Sequence, residues 1–592
     1  MHLWVSRIRC LWLPLALAVC SPFVAPLSGR AQITRSEDPV FIAPELPPAS
    51  SIDAVLLEGT RLESLGRWGE AITHYEEFLR DNAGNAAVER RSDLAKLHFS
   101  LQRRYADRSF VTSVQTLSSS QAGALFLELA RKINTHYVNA PPWGVLAQRG
   151  ATAMEVALGE PNFCSANGLN IDPQKMASIR SELYQLVATR RVAGPEELTG
   201  FAGEVARLIE NRCNLRQSAV FLEFTAAAAG GLDEYSAYLT SDQLRDVYSQ
   251  IEGNFVGLGV ELKADKGALL IVHVIPGSPA QRAGIRDGDR IVAVDGRSTA
   301  ELSTDEAAGL LTGEEGSVVQ IVAETAGQRR ELTVRREHVE VPSLEDVKIA
   351  DPVNGVAYIR IPAFQKTTSR DLDAALWDLH SKGMRSLVLD LRGNPGGLLT
   401  AAVEVADKFL LQGGIVSTRG RSAQEDNNFQ AHYGGTWRVP LVVLIDGDSA
   451  SASEIFAAAI KDNARGEIVG EKSYGKGSVQ GIFPLGYGGA GIRLTTALFY
   501  SPNGQKISKN GVLPNLPVQS ARVAAKPIQQ PVNLAANATL GSYTASKPAA
   551  ETGSELTIVG VDPVLEAGLK AAVDVAARAR LASPAEATAA VK

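Results

Sequence analysis

The stretch LVVLIDGDSASASEIFAAAIKDN, residues 441–463, changes its period halfway. Leu441 to Ile445 is an unbroken apolar run of strand length. From Ser451 onward the apolar residues recur at helical spacing, and Ser451 with Glu454 forms the S-x-x-E pattern of a helix start. The reading is a buried strand that turns sharply into a helix, with serines 449, 451 and 453 at the turn. Taken alone, such a serine fits a plain helix cap. It also stands beside unpaired N–H groups and the positive end of a helix dipole, which suit a developing oxyanion.

The flanking sequence repeats this alternation. VAYIRI (356–361), SLVLDL (386–391) and EIVGE (467–471) read as strands, while SRDLDAALWDLHSKG (369–383) and LLTAAVEVADKFLL (398–411) read as helices. Apolar strands between amphipathic helices predict a parallel sheet covered by helices. Chemistry in such layers gathers where strands end and helices begin.

A nucleophilic serine needs a base. The last histidine is His432, so no histidine follows Ser451, and the Ser…Asp…His order of the α/β-hydrolases is excluded. His432 sits in a polar loop and reads as solvated. KSYGKGSVQ (472–480) offers lysines. Gly475 and Gly477 let backbone close around Lys476, whereas Lys472 has a charged, strand-end setting. A lysine base must be neutral, so burial has to lower its pKa by roughly 3 units, at a cost of about 4 kcal/mol. Gln480 stands four residues on, where its amide can hold the amine. DLRGNPGGLL (390–399) ends one strand and opens a helix, and Gly396 and Gly397 allow N–H groups to approach a ligand. Asp390 and Arg392 read as structural.

Further out, the chain of 592 residues is long enough for roughly three to five domains. At 45% hydrophobic, 21% charged and a net charge of -6, it is globular and lacks the basic surface of a nucleic-acid protein. Residues 250–337 consist of short β-type runs such as FVGLGVEL and RIVAVDG, a small β-rich domain. The start MHLWVSRIR, the apolar CLWLPLALAVCSPFVAPL and Ala31 follow the order of an export signal. An uncleaved membrane anchor and lipid attachment at Cys20 are the alternatives, and all three place the body outside the cytoplasm, periplasmic or secreted. Cys164 and Cys213 are the cysteines outside that segment. They predict one disulfide worth about 4 kcal/mol, with two buried thiols as the alternative. No CxxC or His/Cys cluster suggests a metal site. LLEGTRLESLGRWGEAITHYEEFLRDN (56–82) resembles part of a tetratricopeptide repeat, so a protein partner at these helices is one expectation.

GDSASASEIFAAAIKDN, EKSYGKGSVQ, DLRGNPGGLL and LDEYSAYL together resemble the C-terminal processing peptidases, or tail-specific proteases, over roughly residues 120–520. The resemblance implies a Ser/Lys dyad in which Ser451 attacks and Lys476, 25 residues later, is the base. It implies Gln480 as the amine's partner, the N–H groups of Gly397 and Ala452 as oxyanion donors, and a core related to the ClpP/crotonase α/β fold without metal or cofactor. The β domain resembles a PDZ domain. Gly257, Leu258, Gly259 and Val260 then form the loop that takes a substrate's C-terminal carboxylate, with GSPAQRAGI (277–285) as a groove wall. The fold class is thus multidomain α+β, with a helical N-terminal region, a PDZ-like domain and an α/β protease core. The expected boundaries are 1–31 signal or anchor, 32–50 linker, 51–113 tetratricopeptide-like hairpins, 114–249 helical region, 250–340 PDZ-like domain, 341–520 serine protease core and 521–592 Ala/Pro-rich tail with a terminal helix. The expected partners are polypeptides with accessible C-termini. LDEYSAYL departs from the family with Glu234-Tyr235 in place of a usual Pro-His, a change expected to touch no catalytic group. The reading from another class is a silent PDZ and helical-repeat scaffold. Acyl chemistry on coenzyme A esters, a third reading, lacks any sequence sign of a coenzyme A pocket.

Overall fold

The computed structural model describes residues 52–265, 268–301, 309–325, 327–432, 434, 436–519 and 562–582. The expected signal or anchor, the linker and most of the tail lie outside the described residues.

The N-terminal part is helical. α1 (Ile52–Ser64) and α2 (Trp68–Asp81) fold back on each other at Gly66, whose φ of +69° suits glycine. Their contact uses Val55, Leu62, Ala71, Ile72 and Tyr75. The repeat-like pattern fades beyond residue 85 because α3 (Ala86–Ala106) is one long helix shared by two layers: Val88, Ala95 and Phe99 pack on α1 and α2, and Leu101 packs in the next layer. That layer comprises α4 (Arg108–Thr116), α5 (Ser119–His136), α6 (Trp143–Gly159), α7 (Pro161–Asn167), α8 (Pro173–Thr189), α9 (Pro195–Cys213) and α10 (Gln217–Ala229). α10 is buried nearly all round, which is why its sequence shows no polar face. Its one charge, the fully buried Glu223, is paired with Arg104 of α3. Among the described residues no helix is long and apolar enough to cross a membrane.

The expected disulfide is absent from this layer. Cys164 and Cys213 are both thiols, donating to the Leu158 carbonyl at 3.4 Å and the Ile209 carbonyl at 3.2 Å. Both are partly buried among apolar neighbours, and burial pushes both thiols up from their ordinary pKa.

β1 (Ala237–Leu239) and α11 (Ser241–Glu252) lead to the β domain. A ribbon of β2 (Asn254–Gly257) and β9 (Glu337–Glu340) carries both connections to it. Its elements are β3 (Val260–Asp265), β4 (Ala268–Val274), α12 (Pro279–Arg282), β5 (Arg290–Val294), β6 (Arg297–Ser298), β7 (Val318–Thr325) and β8 (Gln328–Arg335). The strand order β3-β4-β5-β7-β8 leaves β3 at an edge. The segment GSPAQRAGI gives the single turn α12, which packs on β8 and also lies against the start of β3, where the Ala280 N–H donates to the Leu258 carbonyl at 2.8 Å.

The core is the α/β layer read from the sequence. β11 (Val356–Arg360), β12 (Ser386–Asp390), β15 (Leu441–Ile445) and β16 (Glu467–Gly470) are parallel neighbours in that order. β10 (Glu345–Asp351) adds antiparallel at one edge and β19 (Leu516–Pro517) parallel at the other. Side chains alternate between the two faces. Ala357, Ile359, Leu387, Leu389, Val443 and Ile468 meet α13 (Thr368–Ser381), α14 (Leu399–Asp407) and α15 (Ala452–Asp462) on one face. On the other face Tyr358, Val388, Val442, Leu444 and Val469 meet α16 (Pro563–Ala582). Gly568 permits this approach, since a Cβ there would stand 2.5 Å from Leu444 Cδ2. A second, antiparallel sheet is built from β13 (Gly414–Gly420), β14 (Asn427–Gln430), β17 (Ser478–Pro484), β18 (Gly491–Tyr500) and β1.

α16 therefore closes the apolar back of the parallel sheet. Ending the chain at residue 519 should expose that face, lower the thermal midpoint by at least about 5 °C and raise binding of a hydrophobic dye. An unchanged midpoint would show that α16 contributes little.

Candidate active site

Asp446 follows directly on β15, and its carboxylate accepts the N–H groups of Gly393 (3.0 Å), Asp448 (3.1 Å) and Ser449 (3.0 Å). This ties the serine turn to the DLRGNPGG loop. Of the three serines, Ser449 and Ser453 are fully buried and structural. Their hydroxyls donate to the carbonyls of Leu391 (2.8 Å) and Asn394 (3.0 Å). Ser451 alone is partly exposed, and its backbone stands at φ +56°, ψ −113°. A non-glycine residue held there is strained, and strain of this kind is typical of functional turns.

The glycine loop reaches this turn closely. A Cβ at Gly396 (φ +110°) would stand 2.7 Å from Ser451 Cβ, 2.8 Å from the Ala450 carbonyl oxygen and 2.9 Å from the Ala452 nitrogen. At Gly397 (φ +132°) it would stand 2.2 Å from the Phe364 carbonyl oxygen. The Phe364 N–H donates to Gly396 O (2.7 Å), and the Leu398 N–H donates to Phe364 O (2.8 Å), clamping the loop on both sides of Gly397. Asn394, fully buried, accepts the Gly396 N–H at 2.8 Å and donates to the Ile361 carbonyl at 2.7 Å. The segments that carry the Gly397 and Ala452 N–H groups are thus in contact.

Lys476 follows β16 in a loop fastened from several sides. The Lys509 N–H donates to Gly475 O at 2.7 Å, the Phe499 N–H to Gly477 O at 3.1 Å, and the Tyr474 N–H to Ser449 O at 3.0 Å. The main fastening is Glu454. Read from sequence as half of a helix cap, it is fully buried and joins the two halves of the site. Its Oε2 accepts the N–H of Ser451 at 2.8 Å and the N–H of Lys476 at 3.0 Å. Its Oε1 accepts the Gly475 N–H and the Ser473 hydroxyl, both at 2.6 Å. One oxygen shared between Ser451 and Lys476 keeps their main-chain nitrogens within about 6 Å of each other. Burial pushes the Glu454 carboxyl up from its ordinary pKa, and the four donors oppose that shift.

The Lys476 amine is desolvated although the residue is partly exposed along its length. Desolvation, with Arg493 beside it, lowers its pKa to about 8, while Glu454 and Glu234 pull the other way. Lys472, the competing lysine, is exposed. His432 is also exposed and paired with Asp407 at 3.2 Å. Gln480, on β17, donates its amide N–H to Ser478 Oγ at 2.9 Å. Asp390 is structural, accepting Tyr358 Oη at 2.7 Å and pairing with Arg392, which also reaches Asp562 ahead of α16 at 2.9 Å. The expectation that Glu234-Tyr235 touches no catalytic group fails, because Lys476 Nζ lies 5.1 Å from the centre of the Tyr235 ring.

In the β domain, Gly257 to Val260 form the turn from β2 into β3. Gly259 stands at φ +80°, with its carbonyl accepting the Ile275 N–H at 3.0 Å and that of Leu258 accepting the Ala280 N–H at 2.8 Å.

Comparison with known proteins bears on this geometry. Residues 355–518 match peptidase family S41, and residues 270–325 match a PDZ domain. A carboxy-terminal-processing protease of Bartonella bacilliformis is 36% identical over 57% of this chain and 74% of its own. A carboxyl-terminal-processing protease of Synechocystis is 34% identical over 51% of this chain and 71% of its own. Among solved structures, a photosystem II D1 C-terminal processing protease aligns over 67% of this chain and 93% of its own at 26% identity, with a TM-score of 0.34.

Glu454→Gln keeps the side-chain volume but turns an amide N–H toward donors. The substitution should lower the free energy of unfolding in urea by about 2–3 kcal/mol and slow fluorophosphonate labelling of Ser451 by about 100-fold. Unchanged stability and labelling would remove Glu454 from this role.

Proposed function

The chain belongs to the carboxy-terminal-processing protease family and is a serine-type peptidase with a PDZ domain, and we propose that it is an exported endopeptidase that cleaves polypeptides with accessible C-termini by a Ser451/Lys476 dyad. The observation that carries the dyad is the Glu454 carboxylate shared between the main chains of these two residues. The neutral Lys476 amine takes the proton of Ser451 as its hydroxyl oxygen attacks a peptide carbonyl. The oxyanion that forms is received by the N–H groups of Gly397 and Ala452, a role in which one donor is commonly worth about 100- to 1,000-fold in rate. Lys476, now an ammonium, protonates the leaving amine. It then takes a proton from the water that hydrolyses the acyl-enzyme. Gln480 holds the amine through its side-chain oxygen, its amide nitrogen being engaged by Ser478.

Substrate choice falls to the β domain. The free edge of β3 offers a place for a peptide to add as a strand, and the Gly257–Val260 turn lies where that peptide's terminal carboxylate would meet backbone N–H groups. The basic start, apolar run and Ala31 of the sequence support export, with the same segment as an anchor if it is retained. A silent scaffold would have no use for a strained, partly exposed Ser451 tied through Glu454 to the main chain of a lysine whose amine is desolvated.

Ser451→Ala and Lys476→Ala should each abolish cleavage of an unfolded polypeptide while leaving its thermal unfolding unchanged. Because the base works only when neutral, kcat/KM should rise with pH up to a plateau, with a midpoint near the Lys476 value of about 8. Substantial turnover by Lys476→Ala would remove the lysine from the mechanism. A peptide substrate amidated at its C-terminus should lose affinity relative to the free acid, and equal affinity would exclude carboxylate capture.

A further inference from the structure

The Tyr235 ring under the Lys476 amine is held from both of its neighbours in the fold. The Asp233 carboxylate accepts the N–H groups of Tyr235 and Ser236, each at 2.8 Å. Arg493 Nε donates to the Tyr235 carbonyl at 2.9 Å, and β1, which starts two residues later, pairs with β18 through Ala237 and Arg493. The main chain of Tyr235 is therefore fixed by its loop and the sheet, and Nζ of Lys476 lies 5.1 Å from the centre of its ring. Four further groups face this contact. Glu454 comes from α15, Arg493 from β18, Glu234 from the loop of Tyr235 itself, and Tyr474, from the loop of Lys476, interacts with the Tyr235 side chain.

We propose that Tyr235 is a positioning residue for the Lys476 base, its ring face orienting the amine and stabilising the ammonium that forms as Ser451 loses its proton. This inference rests on the dyad reading. The face of an aromatic ring carries negative charge density and attracts a cation, but it takes no strong hydrogen bond from a neutral amine. A carboxylate at the same place would keep the lysine charged at neutral pH. The ring instead strengthens the base while leaving it a neutral fraction. Burial pushes the Tyr235 hydroxyl well above its ordinary pKa, with Glu234 and Tyr474 adding to the shift, so the ring stays uncharged across the working range.

The test replaces Tyr235 with phenylalanine and then with mono-, tri- and pentafluorophenylalanine in the full chain. These rings are nearly isosteric and progressively lose their negative face. Two quantities are read. One is the Lys476 titration, from the NMR shift of its ε-carbon in the Ser451→Ala background. The other is the acid limb of kcat/KM with Ser451 intact. Both should move to lower pH in graded steps, by about 0.5–1 unit across the series, with a parallel fall in kcat. A titration that stays constant, or moves to higher pH, would overturn the proposal and leave the ring as cover alone. A titration that shifts while the acid limb stays fixed would uphold the contact and sink the dyad. Thermal melts across the series confirm that the fold is retained.

Discussion

The site depends on one buried carboxylate. Glu454 receives the N–H groups of Ser451, Gly475 and Lys476 together with the Ser473 hydroxyl. These donors come from two loops that follow different strands, β15 and β16. A buried carboxylate is costly unless its lone pairs are filled, and here four donors fill them, at 2.6 to 3.0 Å. The same hydrogen bonds that make the charge tolerable fix the distance between the Ser451 turn and the Lys476 loop. Glu454 thus acts through geometry and is not assigned a proton-transfer step.

Around this tie, the rest of the core supplies rigidity at small scale. The strained backbone of Ser451 persists because Ser449 and Ser453, on either side, are buried and bonded to the Leu391 and Asn394 carbonyls. Gly396 and Gly397 let their loop approach the Ser451 turn and Phe364 to distances that no side chain would allow. Behind the sheet, α16 covers the apolar face, and Asp562 at its start clasps Arg392 in the same loop that carries those glycines. A helix more than a hundred residues downstream in sequence is therefore mechanically joined to the active-site loop.

The parallel sheet was legible because its strands are buried on both faces and read as continuous apolar runs, as in LVVLI and SLVLD. The turn at Ser451 was legible from S-x-x-E, but the burial of Glu454 was not, since the pattern is the same for an exposed cap. Tyr235 stands out in the sequence as a departure from the family, but its contact was not legible, for a different reason. It approaches Lys476 through the pairing of β1 with β18, a contact over more than two hundred residues that local sequence does not encode. The disulfide expectation counted cysteines and compartment, while the packing of α7 and α9 leaves each thiol bonded to its own neighbourhood.

The central claim is that a neutral Lys476 delivers Ser451 to a carbonyl. Acid quenching of the enzyme during turnover of a peptide ester, followed by mass spectrometry of its digest, tests it most directly. The account expects an acyl group on Ser451 and none in Lys476→Ala under the same conditions. An acyl group on any other residue, or an undiminished one in Lys476→Ala, would contradict it.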